Sequence, residues 1–227
     1  MLVRTYDLSD RAAVYDICLR TGDDGGDASG QVSAELMGDV WVGPYLALEP
    51  ATCWVAVEGG AVVGYVIGTP DTRRYEAACE AGWWPRLRRR YVAPQLDETD
   101  PRGWTLDQRL RHLVHHPPRS PDDVVAGHPA HLHLNLLPVA EGRGIGRALL
   151  TEALGALGVQ GAPGVHVGVS PTNARGLRFW NRGGFVPVRQ DPGVDWLGRP
   201  VPELSRRAAR QVLRGPGRAR PPGSAPS

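Results

Sequence analysis

The chain has 227 residues, with 26 basic side chains that are all arginine, 24 acids and a formal charge of +2; this length suits one well-buried α/β domain with insertions and cramps two. The charge is unevenly placed, because residues 205–227 hold six arginines and no acid, leaving 20 bases against 24 acids, or −4, in the rest. Such a body excludes the broad basic face that a nucleic acid or an anionic membrane surface requires, and neither partner is expected.

Met1–Asp7 lacks a basic leader followed by an apolar stretch, and no run of about 18 apolar residues occurs, so a cytoplasmic protein is expected. Leu2–Tyr6 alternates as a strand does, and Asp7-Leu-Ser-Asp10 offers capping chemistry for a helix through Val14, Ile17, Cys18 and Leu19. Thr21–Gly30, rich in Gly and Asp, must be a loop. A short helix is predicted over about 32–40, leading to Trp41–Tyr45. Cys53–Glu58, the Gly59-Gly60 turn and Ala61–Thr69 predict a hairpin. Cys18, Cys53 and Cys79 have neither CxxC nor CxxH spacing, so no metal site and no disulfide framework is expected.

Residues 70–129 form a long excursion in which two helices are predicted, around Trp83–Tyr91 and Leu106–His115. A connection of this length in one domain reads as a cover or docking surface. From about Ala208 the chain is rich in Pro, Gly and Arg, and 208–227 is expected to be a disordered tail on a domain spanning 1–207.

The most informative segment joins an alternating strand, His131-Leu-His-Leu-Asn-Leu-Leu137, to the glycine-rich turn Glu141-Gly-Arg-Gly-Ile-Gly-Arg147 and then to an apolar helix. Glycines here let a pyrophosphate approach the backbone, and the first amides of the helix point at it with the positive end of the dipole. The Gly-Lys-Ser/Thr of a Walker A loop is absent, and the turn lies far from the start of any dinucleotide-binding βαβ unit. Gly164–Val169 follows as a strand, then Asn173, a helix ending in Phe179-Trp-Asn-Arg-Gly-Gly-Phe185, and a short strand, 186–189.

This order resembles the GNAT superfamily of acyl-CoA-dependent N-acyltransferases, over Leu132 to Val188. The family pattern is a strand, R/Q-x-x-G-x-G/A, a helix, a strand, N-x-x-A and F-Y-x-x-x-G-F. The strings Thr21-Gly-Asp23, Gly64–Thr72, Trp83-Trp-Pro85 and His128–Pro138 narrow it to bacterial acetyltransferases related to the acetyltransferase-like domain of eukaryotic O-GlcNAcase. The resemblance implies a mixed α/β (α+β) fold. It has a central, mostly antiparallel sheet of about seven strands flanked by helices, with residues 70–129 inserted between the third and fourth strands over the acceptor side.

It also implies acetyl-CoA as cosubstrate and a site. Arg143, Gly144, Ile145, Gly146 and Arg147 would hold the pyrophosphate, the backbone of Leu136 and Leu137 the thioester, and Asn173, Phe179 and Trp180 the rest of the cofactor. Two positions depart from the pattern: Glu141 replaces the usual Arg or Gln, and Trp180 replaces the tyrosine that protonates the departing thiolate. An indole N–H donates a hydrogen bond but is no useful acid.

His131, His133 and Asn135 alternate on one strand and share a face. His133 is the preferred base, with His131 beside it, and Asn135 would position water or acceptor. Asp23, Asp24, Asp27 and Asp71 are expected near the acceptor entrance, where carboxylates attract an ammonium, and Trp83 and Trp84 are expected to line the acceptor pocket. The reading is an acetyl-CoA-dependent N-acetyltransferase acting on a small amine by direct attack on the thioester, as a monomer or homodimer. An acetyl-CoA-binding sensor without turnover and a peptide or protein acetyltransferase stand as alternatives.

Overall fold

The computed structural model describes residues 1–95 and 103–202; the arginine-rich segment 205–227, and with it the expected tail 208–227, lies outside them. Seven strands form one sheet: β1 (Leu2–Thr5), β2 (Trp54–Glu58), β3 (Ala61–Thr69), β4 (Ala130–Leu136), β5 (Gly164–Val169), β6 (Val186–Asp191) and β7 (Val194–Pro200). Their order is β1-β2-β3-β4-β5-β7-β6, antiparallel except between β4 and β5. The mixed fold and mostly antiparallel seven-strand sheet are as expected.

Local chemistry explains most element ends. Gly59 and Gly60 both take positive φ, 56° and 83°, and so close the β2–β3 hairpin in the two-residue turn that suits strand twist. Helices α1 (Arg11–Arg20) and α2 (Ala34–Trp41) follow β1, and the Ser33 hydroxyl accepts the Leu36 N–H, which starts α2 later than the predicted 32. Helix α3 (Gly43–Leu48), with Pro44 in its first turn, was not distinguished by periodicity because six residues hold under two turns.

Between β3 and β4 run α4 (Thr72–Ala78), a π-helical turn (Cys79–Trp83), α5 (Trp84–Arg90), α6 (Leu106–His115) and α7 (Asp122–Gly127). The two helices expected here are present, and two short ones join them. The segment is anchored to α1 and α2 through the buried Asp39. Its carboxylate accepts from the Tyr15 and Tyr91 hydroxyls and from Arg90, each at 2.9 Å, while its carbonyl accepts the Trp83 indole N–H at 2.9 Å. A buried carboxylate is tolerable only with such donors around it.

Helices α8 (Ile145–Val159) and α9 (Ala174–Arg182) are the last two helices among the described residues. One core lies between the sheet and α1, α2 and the β3–β4 helices, and a second between the sheet and α8. Strand β3 is therefore buried from Val63 through Thr69 and reads as a continuous apolar run at its centre.

Candidate functional site

Strands β4 and β5 pair only at Ala130–Val165 and His131–His166, and beyond that point they separate. The gap opens into a cavity of about 250 Å³, bordered by Leu134, Asn135, Val169, Asn173 and Trp180, with the Thr21–Gly25 loop across it. On the other side of the same opening lies a cavity of about 880 Å³, walled by β4, β5, β7, α2 and the β3–β4 helices. The two share Trp41, Leu132, His133, Val167 and Gly168. A ligand in each would meet there.

The backbone of β4 faces this gap selectively. The Leu137 N–H donates to the Val63 carbonyl at 2.9 Å and is thereby spent on β3. Pairing from Gly64–Leu136 to Thr69–His131 runs without a register shift, so alternation turns the N–H groups of Leu134 and Leu136 the other way, toward β5. Of the two amides expected to act, Leu136 is the one left open.

At the head of α8, Gly142 and Gly144 have φ of 68° and 78°, a left-handed conformation that side chains disfavour. A Cβ added to either meets nothing within 4 Å, so both face open space, whereas one on Gly146 would lie 2.9 Å from the Phe179 ring. Glycine at 146 thus lets α8 and α9 approach, and glycine at 142 and 144 shapes the turn. No side chain caps the 15-residue helix, so the first-turn amides of Ile145, Gly146 and Arg147 remain available to an anion. The turn fits a pyrophosphate.

Its arginines are not equivalent. Arg143, expected to help hold the pyrophosphate, is bound to Glu58 of β2 through both guanidinium nitrogens, the second at 2.7 Å. Arg147 is exposed on the first turn of α8. The unexpected Glu141 pairs with Arg175 of α9 at 2.6 Å, and Arg175 also donates to the Gly25 carbonyl at 3.0 Å. An arginine still stands at the head of the cradle, but it arrives from another element.

Asn173 caps α9, accepting the Gly176 N–H at 2.8 Å, and borders the smaller cavity. Trp180 is buried at the edge of the gap, its ring packed edge-on against Phe179 and Phe185 at 5.0 and 4.9 Å between centroids.

His131, His133 and Asn135 do share a face. Asn135 donates to the Thr21 hydroxyl at 2.7 Å, which in turn donates to the Ile17 carbonyl, also at 2.7 Å. The histidines belong to a chain whose direction is set at its far end. The Thr72 hydroxyl donates to the Pro129 carbonyl at 2.7 Å, so it accepts from His131 Nδ1–H, also at 2.7 Å. His131 Nε2 then accepts from the Tyr45 hydroxyl at 2.5 Å, and Tyr45 accepts from His133 Nε2–H at 3.1 Å. His131 has both nitrogens engaged and orients the chain, while His133 keeps Nδ1 as its accepting nitrogen. His166, across the gap, donates from Nδ1 to the His128 carbonyl at 2.6 Å.

Burial drives all three imidazoles toward the neutral form. It lowers His133 to about 4, pushes His131 well below the ordinary histidine range and lowers His166; neighbouring rings add to the effect.

The acidic cluster expected at the acceptor entrance is not assembled. Asp24 borders the smaller cavity and accepts the Thr172 hydroxyl at 2.6 Å. Asp23 accepts from Gln31, Asp27 caps the adjacent Ser29, and Asp71 caps α4. The bonds of Asp27 and Asp71 satisfy turn and helix-start amides, which is what Asp most often does in such positions, while Asp23 and Asp24 are tied to side chains. Trp84 lines the larger cavity, but Trp83 is core, held by its bond to Asp39.

Tyr45, Thr72, His166, Trp41 and Trp196 were missed. Only His166 carried a local signal, as the lone polar side chain in Gly164–Val169; the others come together through the fold. Among the described residues no helix is long and apolar enough to cross a membrane, and no group of three or more His, Cys, Asp or Glu is placed to hold a metal ion.

No family model matches the chain. The solved structure of SsHAT is 38% identical, with a TM-score of 0.82 over 89% of this chain and 98% of that one. Protein O-GlcNAcase of Rattus norvegicus is 25% identical over 195 residues, 84% of this chain; the chain spans about a fifth of that relative's length (20%). The fold alone is shared with a GCN5-related N-acetyltransferase from Kribbella flavida, 17% identical with a TM-score of 0.51 over 88% of this chain and 96% of that one. It is shared also with the PaiA N-acetyltransferase of Thermoplasma acidophilum, solved in complex with coenzyme A, 13% identical with a TM-score of 0.52 over 88% and 98%.

Proposed function

The chain belongs to the GCN5-related N-acetyltransferase superfamily of acyltransferases, and from that premise we propose that it transfers the acetyl group of acetyl-CoA to the amine of a small molecule by direct attack. When bound, acetyl-CoA supplies an acetyl thioester with a carbonyl carbon open to an amine. The free amides of Ile145, Gly146 and Arg147, with the Arg147 guanidinium, hold its pyrophosphate. Asn173 and Trp180 border the arm of the cofactor in the smaller cavity. The Leu136 N–H donates to the oxygen on which negative charge develops.

The helices between β3 and β4 cover the larger cavity, which receives the acceptor. The observation that carries the reading is the meeting of the two cavities at His133. A neutral ring there accepts a hydrogen bond from the amine and takes the proton that the nitrogen sheds as its new bond forms. An imidazole held near 4 does not keep that proton, since a thiolate, with a model thiol pKa of about 8.5, is the stronger base. His133 therefore covers both transfers, and Trp180 needs to supply none.

The test is thiol release from acetyl-CoA over a panel of polyamines, aminoglycosides and aryl amines, with wild type and His133→Ala. Turnover of at least one small amine, reduced about 100-fold or more by the substitution while acetyl-CoA affinity is retained, is the expected result. The absence of an acid at Trp180 favours a second reading, an acetyl-CoA sensor. Tight acetyl-CoA binding with no turnover of any amine would establish that reading instead.

A further inference from the structure

The larger cavity has a composition that selects among amines. Its wall carries five aromatic rings, Trp41, Tyr45, Tyr75, Trp84 and Trp196, together with Leu113 and the imidazoles of His131, His133 and His166. Tyr45 and Tyr75 stack at 4.4 Å between centroids and meet His131 edge-on. The cavity volume of about 880 Å³ lies in the range of sites that enclose a drug-sized molecule.

Its charged groups are already matched. Glu76 accepts from Arg73 at 2.5 Å and from the Ser120 N–H at 2.9 Å. Glu80 is held by Arg88 at 2.6 and 3.1 Å. Arg73 and Arg119 both reach Asp122, at 2.5 and 3.2 Å. Every carboxylate of the wall is thus committed to an arginine, and a second ammonium entering with the first would meet guanidinium groups and aromatic edges. Burying such an unpaired cation is costly, whereas one amine on a flat apolar body buries well and is driven toward the reactive neutral form by the surroundings that keep the imidazoles neutral.

We propose that the acceptor is a monoamine carried on an aromatic body, that Trp84 and Trp41 are the residues recognising that body, and that polycationic amines are rejected. This rests on the transferase reading above but concerns what the cavity binds, so the two are separable by experiment. Turnover with acetyl-CoA is compared for 2-phenylethylamine, spermidine and kanamycin, and binding of each is followed in parallel by ligand-observed saturation-transfer NMR.

The expected result is that 2-phenylethylamine is acetylated with kcat/KM about 100-fold above either polycation. Trp84→Leu should raise its KM about 10-fold while leaving acetyl-CoA affinity unchanged. Trp41→Ala, at a partly exposed position, serves if Trp84→Leu does not fold. Preference for spermidine or kanamycin overturns the proposal. If no amine is acetylated, saturation transfer to 2-phenylethylamine that the tryptophan substitutions abolish sustains the acceptor class and sinks the transferase reading. Absence of that transfer in wild type overturns the acceptor class.

Discussion

The glycine turn at the head of α8 and the larger, aromatic cavity, proposed to hold the cofactor and the acceptor, are built in opposite ways. The cradle is one continuous stretch, Leu136 to Arg147, in which glycines with positive φ deliver the chain to the free amides of α8. The cavity draws on α2, α3, α4, the π-turn, α5, α6, β4, β5 and β7. A site made from backbone depends on a few local conformations, and one made from side chains depends on the whole fold. Substitutions should therefore separate sharply, cradle changes acting on cofactor affinity and cavity changes on turnover and stability.

The largest separation is expected for Gly144→Asp. A carboxylate on a left-handed turn facing open space collides with a diphosphate in charge and in volume, and acetyl-CoA affinity by calorimetry should fall about 100-fold or more. Unchanged affinity would remove the cradle from the account. Tyr45→Phe should do the reverse. It deprives His131 Nε2 of its donor and His133 Nε2–H of its acceptor, so kcat should fall about 10-fold and stability by about 1–3 kcal/mol, with acetyl-CoA affinity retained. A variant as active and as stable as wild type would show that the histidine chain positions nothing.

Acid should strike the cavity first. A histidine whose folded pKa is depressed binds its proton more readily in the unfolded chain, so stability is in full force above about 6.5 and is lost as pH falls from there toward the folded value. For His133, lowered to about 4, roughly 2 kcal/mol is lost between pH 7 and pH 5, and His131, lowered well below the same reference, adds a loss of the same sign. Urea midpoints that do not move over this interval would contradict the neutral buried rings. The smallest effect is a contrast within the cradle. Arg143→Gln should alter acetyl-CoA affinity by less than about twofold because Glu58 already binds that arginine, whereas Arg147→Gln should cost about fivefold.

The same contrast governs how much was legible from residues alone. The hairpin, the cradle, the last two helices and the His131–His133–Asn135 face are local patterns, because period, glycine placement and capping act over a few positions. Trp83 and Trp84 are adjacent and chemically identical, yet one fills the core against Asp39 and the other lines the cavity; rotation about the helical axis decided that, and no spacing encoded it. The exchange of Arg143 for Arg175 at the cradle head likewise depended on Glu58 and Glu141 choosing partners across 85 and 34 positions of chain. Tyr45 and Thr72 entered the site through His131, a contact visible only once β4 lies between α3 and α4.

In the proposed reaction an acyl donor in the β4–β5 gap and an amine in the aromatic cavity approach each other beside His133. Crystals of the protein grown with acetyl-CoA test it most directly. The expected result is the pyrophosphate on the amides of Ile145–Arg147, with the thioester oxygen within hydrogen-bond reach of the Leu136 N–H and the acetyl group facing His133. A cofactor bound outside the gap, or one whose thioester lies away from both groups, would contradict it.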